Sequence, residues 1–166
     1  MSKFIEKVEK TCQENQKVAM FIDMDGTIAV YNVYPEDKVA EKMEEDYDNA
    51  EPLKDIIKTL EKISQISNID LYILSLSKTS KLTEKKKKWL EKNTPFIPQK
   101  NWLIITKEIG EYNKENRDII KAKKIEEKGE QYDHLILLDD DHKVLREAQK
   151  KLGKNADIYH VSAALI

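Results

Sequence analysis

Short apolar runs recur along this chain, separated by long, charged, amphipathic stretches, and few folds accept that alternation. Residues 18–23 (VAMFID), 69–74 (IDLYIL), 102–106 (WLIIT) and 134–138 (HLILL) are apolar almost throughout, as strands buried on both faces are. Residues 156–161 (ADIYHV) read as a last edge strand. Between the strands, residues 52–66 place Leu53, Ile56, Ile57, Leu60 and Ile63 at helical spacing, with Pro52 in the first turn. Further helices are expected over 80–92, stopping before Pro95, over 116–128, ending near Gly129, and over 142–152, ending at Gly153. Strands alternating with helices predict a three-layer α/β/α fold with a mostly parallel sheet. With only four glycines, four prolines and no repeat or linker, residues 1–166 read as one domain.

A parallel sheet gathers its ligands at the carboxyl ends of its strands, so those ends are the place to look for chemistry. The first strand runs straight into Asp23-Met24-Asp25-Gly26-Thr27. Residues two apart on an extended chain point the same way, so the Asp23 and Asp25 carboxylates can face one pocket. Gly26 then permits a turn that a side chain would hinder. The second strand closes at Ser75, a small hydroxyl able to donate one hydrogen bond, and the fourth at Asp139-Asp140-Asp141. Crowded carboxylates repel one another unless a cation or a shared proton intervenes, and a hard cation with oxygen ligands, most simply Mg2+, resolves the conflict. Taken singly, Asp25 or Asp141 reads as a helix cap and Ser75 as a turn residue; together they point to a site.

Composition removes several other functions. The 29 basic and 31 acidic residues leave a net charge of −2, so no broad positive field exists for gripping nucleic acid. The lysine run 85–88 reads as a solvated helix face, with Glu84 and Lys88 forming an i,i+4 pair. One cysteine, Cys12, and three histidines make a zinc site of Cys and His unexpected. The charged first 17 residues lack the apolar centre of a signal peptide. No apolar run approaches the roughly 20 residues of a membrane helix, so a cytoplasmic protein is expected.

The DMDGT segment after a buried strand, the serine closing a second strand and the acid pair closing a later one resemble the haloacid-dehalogenase-like superfamily of phosphatases and phosphotransferases. Asp23, Asp25 and Thr27 match its Asp-x-Asp-x-Thr motif in full, and the resemblance runs from about residue 18 to 152. It implies a Rossmann-like fold and a Mg2+-dependent phosphomonoester hydrolase. Asp23 would be the nucleophile that becomes an aspartyl phosphate, and Asp25 the general acid and then base. Thr27, Ser75 and a lysine would contact the phosphoryl group. Asp23, Asp139, Asp140 and the backbone carbonyl of Asp25 would hold the metal. Lys121, opening KAKKI, stands where the superfamily places its lysine, with Lys107 and Lys124 as alternatives.

A small cap insert is expected at about residues 28–50, containing YNVYP and an acidic stretch. Residues 72–95 also resemble small 5'-nucleotidase and deoxyribonucleotidase-related proteins through Glu84, Lys85, Trp89 and Leu90, residues read here as packing groups. The chain departs from that pattern by extra residues between WLIIT and KAKKI. A nucleoside monophosphate is the leading expectation for the substrate, with Tyr31 and Tyr34 as candidates to stack on a base. The alternatives are a nucleic-acid end-processing phosphatase and a non-catalytic binding protein that keeps the fold.

Overall fold

The computed structural model describes residues 2–166. Five strands, β1 (Val18–Ile22), β2 (Ile69–Ser77), β3 (Trp102–Thr106), β4 (His134–Asp139) and β5 (Ala156–His160), form one sheet in the order β3-β2-β1-β4-β5. Every neighbouring pair is parallel. β1 lies in the middle, with Ile22 opposite Ile73 of β2 and Leu138 of β4, and all five of its residues are buried. That position explains the VAMFI run: a central strand covered on both faces has no place for a polar side chain.

The two faces divide by the strand's period of two. Val18, Met20 and Ile22 pack into a core with side chains of α1 (Lys3–Glu14), α3 (Lys54–Ser64) and α4 (Ser80–Asn93). Ala19 and Phe21 face the opposite core, closed by Ala122 and Ile125 of α5 (Ile120–Gly129) and by Val144 and Ala148 of α6 (His142–Leu152). Burying each large apolar side chain contributes about 1.5–3 kcal/mol, so this layering is the main source of stability.

Four features differ from the sequence expectation. The N-terminal stretch is helix α1, capped by the Ser2 hydroxyl, which accepts from the Ile5 amide at 3.4 Å. Phe4, Ile5, Val8 and Cys12 form its buried stripe, and Phe4 meets Tyr159 edge-on at 5.2 Å. β2 continues past Leu74 to Ser77, because β3 pairs with it as far as Ser77–Thr106. α5 begins at Ile120 rather than 116; the residues before it form turns in which Asn113 and Asn116 exchange side-chain to backbone bonds of 2.7 and 2.9 Å. Pro52 precedes α3 by two residues instead of lying in its first turn.

Between β1 and α3 the chain makes a short turn of 3-10 helix and then α2 (Val39–Asp46). α2 lies on α4, with Met43 sharing a core with Leu82 and Trp89, and polar contacts join α4 to α2 and the residues after it. The Thr79 hydroxyl donates to Glu44 at 2.7 Å, Lys85 donates to the Glu44 carbonyl at 3.0 Å and pairs with Asp48 at 2.8 Å, and the Trp89 indole donates to the Ala50 carbonyl at 2.9 Å. Among the described residues, no helix is long and apolar enough to cross a membrane.

Candidate active site

Asp23 follows β1, and its amide continues the sheet by donating to the Leu138 carbonyl at 3.0 Å. This fixes the carboxylate between the ends of β2 and β4. The next residues make a tight turn in which the Met24 carbonyl accepts from the amides of Thr27, Ile28 and Ala29 at 3.0–3.1 Å. Gly26 takes φ +82°, a conformation that disfavours a side chain. A Cβ there would also lie 2.1 Å from Asp140 Oδ2, so glycine is what lets the acid-ended β4 loop approach the β1 loop.

Asp23, Asp139 and Asp140 each place a carboxylate oxygen within 4.8 Å of the others. Lys121 reaches them from the start of α5, with Nζ 2.7 Å from Asp23 Oδ1 and 2.7 Å from Asp139 Oδ2. The Asp141 amide donates to Asp139 Oδ1 at 3.0 Å. Burial, and next the neighbouring Asp139 carboxylate, push Asp23 well above the usual carboxylate range despite Lys121. Burial likewise raises Asp140. For Lys121, burial works against the charge, but Asp23 and Asp139 outweigh it and hold the ammonium above its ordinary value.

Carboxylates forced up in this way are carboxylates short of positive charge. The donors are all oxygen, which suits a hard divalent cation such as Mg2+ rather than a soft one. Asp23, Asp139 and Asp140 therefore fit a metal. Asp25 contributes no carboxylate oxygen to this cluster.

The Asp25 carboxylate instead faces two other groups. Its Oδ2 lies 3.0 Å from Lys86 Nζ, and its Oδ1 accepts a hydrogen bond from the Tyr47 hydroxyl. Lys86 also donates to Ser75 Oγ at 2.9 Å and to the Leu76 carbonyl at 2.7 Å. Its side chain has no exposed surface. The expectation that residues 85–88 form a solvated face is thus wrong for Lys86. The predicted Glu84–Lys88 pair is also replaced, since Glu84 pairs with Lys87 at 3.2 Å. A signal for Lys86 was present in the sequence: it falls on the buried stripe of α4 with Leu82, Trp89 and Leu90, where a lysine must reach a partner.

The remaining predicted residues divide. Thr27 is buried and donates to Asp23 Oδ2 at 3.2 Å, so it steadies that carboxylate and does not line the cavity. Ser75 is buried under Lys86 and is likewise absent from the cavity wall. Lys107 is exposed, and Lys124 pairs with Glu127 at 3.7 Å, leaving Lys121 as the one of the three candidates beside Asp23.

A cavity of about 240 Å³ opens above the carboxylates. Tyr31, Val39, Met43 and Leu82 form an apolar side, and Tyr112 and Arg117 come from the extra residues after β3. Arg117 pairs with Asp141 at 3.3 Å. Tyr34 does not line this cavity; its hydroxyl donates to Asp46 at 2.8 Å.

No protein-family model and no curated protein sequence matches the chain. Solved structures do. The HAD domain of the effector protein Lem4 from Legionella pneumophila is similar with a TM-score of 0.55 at 14% identity, over 87% of each chain. A haloacid dehalogenase-like family hydrolase from Streptococcus pneumoniae gives 0.51 at 16% identity, over 82% of this chain and 81% of that one. A class C acid phosphatase from Bacillus anthracis, with tungstate bound, gives 0.50 at 16% identity, over 96% of this chain and 77% of that one. At such identities the likeness shows the fold, which is haloacid-dehalogenase-like.

Proposed function

We propose that this chain is a Mg2+-dependent phosphomonoester hydrolase that passes the phosphoryl group through the Asp23 carboxylate. What supports it most is one convergence: Asp23 at the end of the central strand shares Lys121 with Asp139, while Asp25, two residues on, stands apart from the carboxylate cluster at the cavity wall.

The two aspartates differ in surroundings, and so in task. Asp23 is steadied by Thr27 and Lys121 and would attack phosphorus. Its oxygen forms the new P–O bond as the ester P–O bond breaks. Asp25, partly open to the cavity, would give its proton to the departing oxygen. In the second step Asp25 would take a proton from water, the water oxygen would bond to phosphorus, and the Asp23–phosphorus bond would break. Dividing one displacement into two lets a single carboxyl act as acid and then as base. Lys121 and Lys86 offer fixed positive charge near the transferring group, worth most in a dry site. Bound at Asp23, Asp139 and Asp140, a magnesium ion would neutralise carboxylate and phosphoryl charge. Residues 28–50 act in this scheme as a small cap.

A nucleoside monophosphate suits the cavity, which offers the Tyr31 and Tyr112 rings beside an acid floor prepared for a metal and a phosphate. The cytoplasm, where Mg2+ and nucleotides are both plentiful, is the expected setting. The test is phosphate release from nucleoside monophosphates, sugar phosphates and an aryl phosphate, with and without Mg2+. Release from at least one class should require Mg2+, fall to background in Asp23→Asn, and be blocked by beryllium fluoride with Mg2+. Full turnover by Asp23→Asn would remove the nucleophile assignment.

A further inference from the structure

Tyr47 stands in the acidic stretch EKMEEDYD, directly after α2, yet only 5% of it is exposed. Its ring meets Trp89 of α4 edge-on, with centroids 6.2 Å apart and planes at 84°. Lys86 Nζ lies 5.5 Å from the ring centroid, on its face, which favours the ammonium there. The hydroxyl reaches past both groups to donate to Asp25 Oδ1, while Lys86 holds Oδ2. Both oxygens of one carboxylate are thereby held by side chains from two different elements.

We infer that Tyr47 is a positioning residue for proton transfer at Asp25, carried to its place by the docking of α2 on α4. The inference rests on the hydrolase function proposed above. An aspartate side chain turns about two bonds, and a proton moves efficiently only between atoms held at hydrogen-bond distance. With Tyr47 and Lys86 in place, Asp25 has one orientation toward the cavity. When Asp25 gives its proton to the leaving oxygen, the carboxylate left behind keeps the Tyr47 hydrogen bond and the Lys86 charge. Val39 and Met43 of α2 line the cavity, so the segment that roofs the substrate also orients the acid.

Tyr47→Phe removes the hydroxyl and keeps the ring against Trp89, so the fold should be retained. Two aryl esters of nearly equal size separate positioning of the acid from general damage. 4-Nitrophenyl phosphate has a leaving group that departs with little need of a proton, whereas phenyl phosphate needs one. Tyr47→Phe should lower kcat/KM for phenyl phosphate by about 10-fold or more and for 4-nitrophenyl phosphate by no more than about 3-fold, within the range of general acid catalysis. An equal fall for both esters, or no fall for either, overturns the inference while leaving the hydrolase function standing. Absence of Mg2+-dependent phosphate release by the native protein from these esters and from every nucleoside monophosphate and sugar phosphate removes that function itself, and the role of Tyr47 with it.

Discussion

Lys86 Nζ lies 3.0 Å from Asp25 Oδ2, at the tip of a side chain with no exposed surface, and the same ammonium holds Ser75 and the Leu76 carbonyl. One buried charge thus serves three acceptors. Lys86→Met keeps the volume of the stem and removes the charge. Phosphate release should fall by about 100-fold or more, as when a single preorganised donor is taken from a developing charge. Asp25 is 21% exposed and can hydrate, so thermal stability should fall less than in Lys121→Met. Activity within about threefold of native would remove Lys86 from the site chemistry.

Lys121→Met presents the harder case, because its two partners are 8% and 1% exposed and cannot turn to water. Removing one side of a buried ion pair costs about 3–5 kcal/mol. Mg2+ bound by the same carboxylates should return part of that loss. The measurement is thermal unfolding of native and variant protein in EDTA and in excess Mg2+. A loss of the same size in both conditions would mean that lysine and metal do not share these carboxylates.

Gly26→Ala tests the approach of the β1 and β4 loops. A left-handed backbone costs a side-chain-bearing residue about 1–2 kcal/mol. Here the added Cβ also meets Asp140 Oδ2 at 2.1 Å, so the carboxylate must move. Mg2+ affinity, read by titration of the unfolding temperature, should weaken by about 10–100-fold, as when a ligand loses its support. Unchanged affinity would take Asp140 out of the metal set.

The acid limb of stability should carry a contribution from Asp141. Burial pushes this carboxyl up, but the amides of Val144 and Lys143 and the Arg117 guanidinium outweigh it and hold it below the usual range. The folded value therefore lies below the unfolded one of about 3.9. Its stabilisation is complete above the unfolded value and is lost as pH falls through the folded value. In urea unfolding, the gap between native protein and Asp141→Asn should be widest near neutral pH and should close as pH falls below about 3.9. A gap that stays constant on acidification would refute this.

The strands were legible because a central parallel strand must be apolar on both faces, and VAMFI and HLILL admit no other placement. Helix α1 was not, because its buried stripe is four residues among charged ones and its partners, Tyr159 and the C-terminal residues, are distant in sequence. Thr27 and Ser75 were expected to touch substrate; in the structure the Thr27 hydroxyl donates to Asp23, and Ser75 Oγ accepts from Lys86. Short polar side chains declare their type in a sequence, but not their partner.

From its sequence alone, this chain determined the sheet, the helices on both sides of it and the strand ends at which acidic groups collect, since hydrophobic period and turn residues act over neighbouring positions. Only the tertiary structure decided which lysines count. Lys121, which the resemblance set beside Lys107 and Lys124, lies 98 residues from Asp23, and Lys86, read as part of a solvated face, lies 61 residues from Asp25; folding buried both. The reason is dielectric: in water one lysine resembles another, but a charge removed from water must find an opposite charge, and the whole fold determines which one is near.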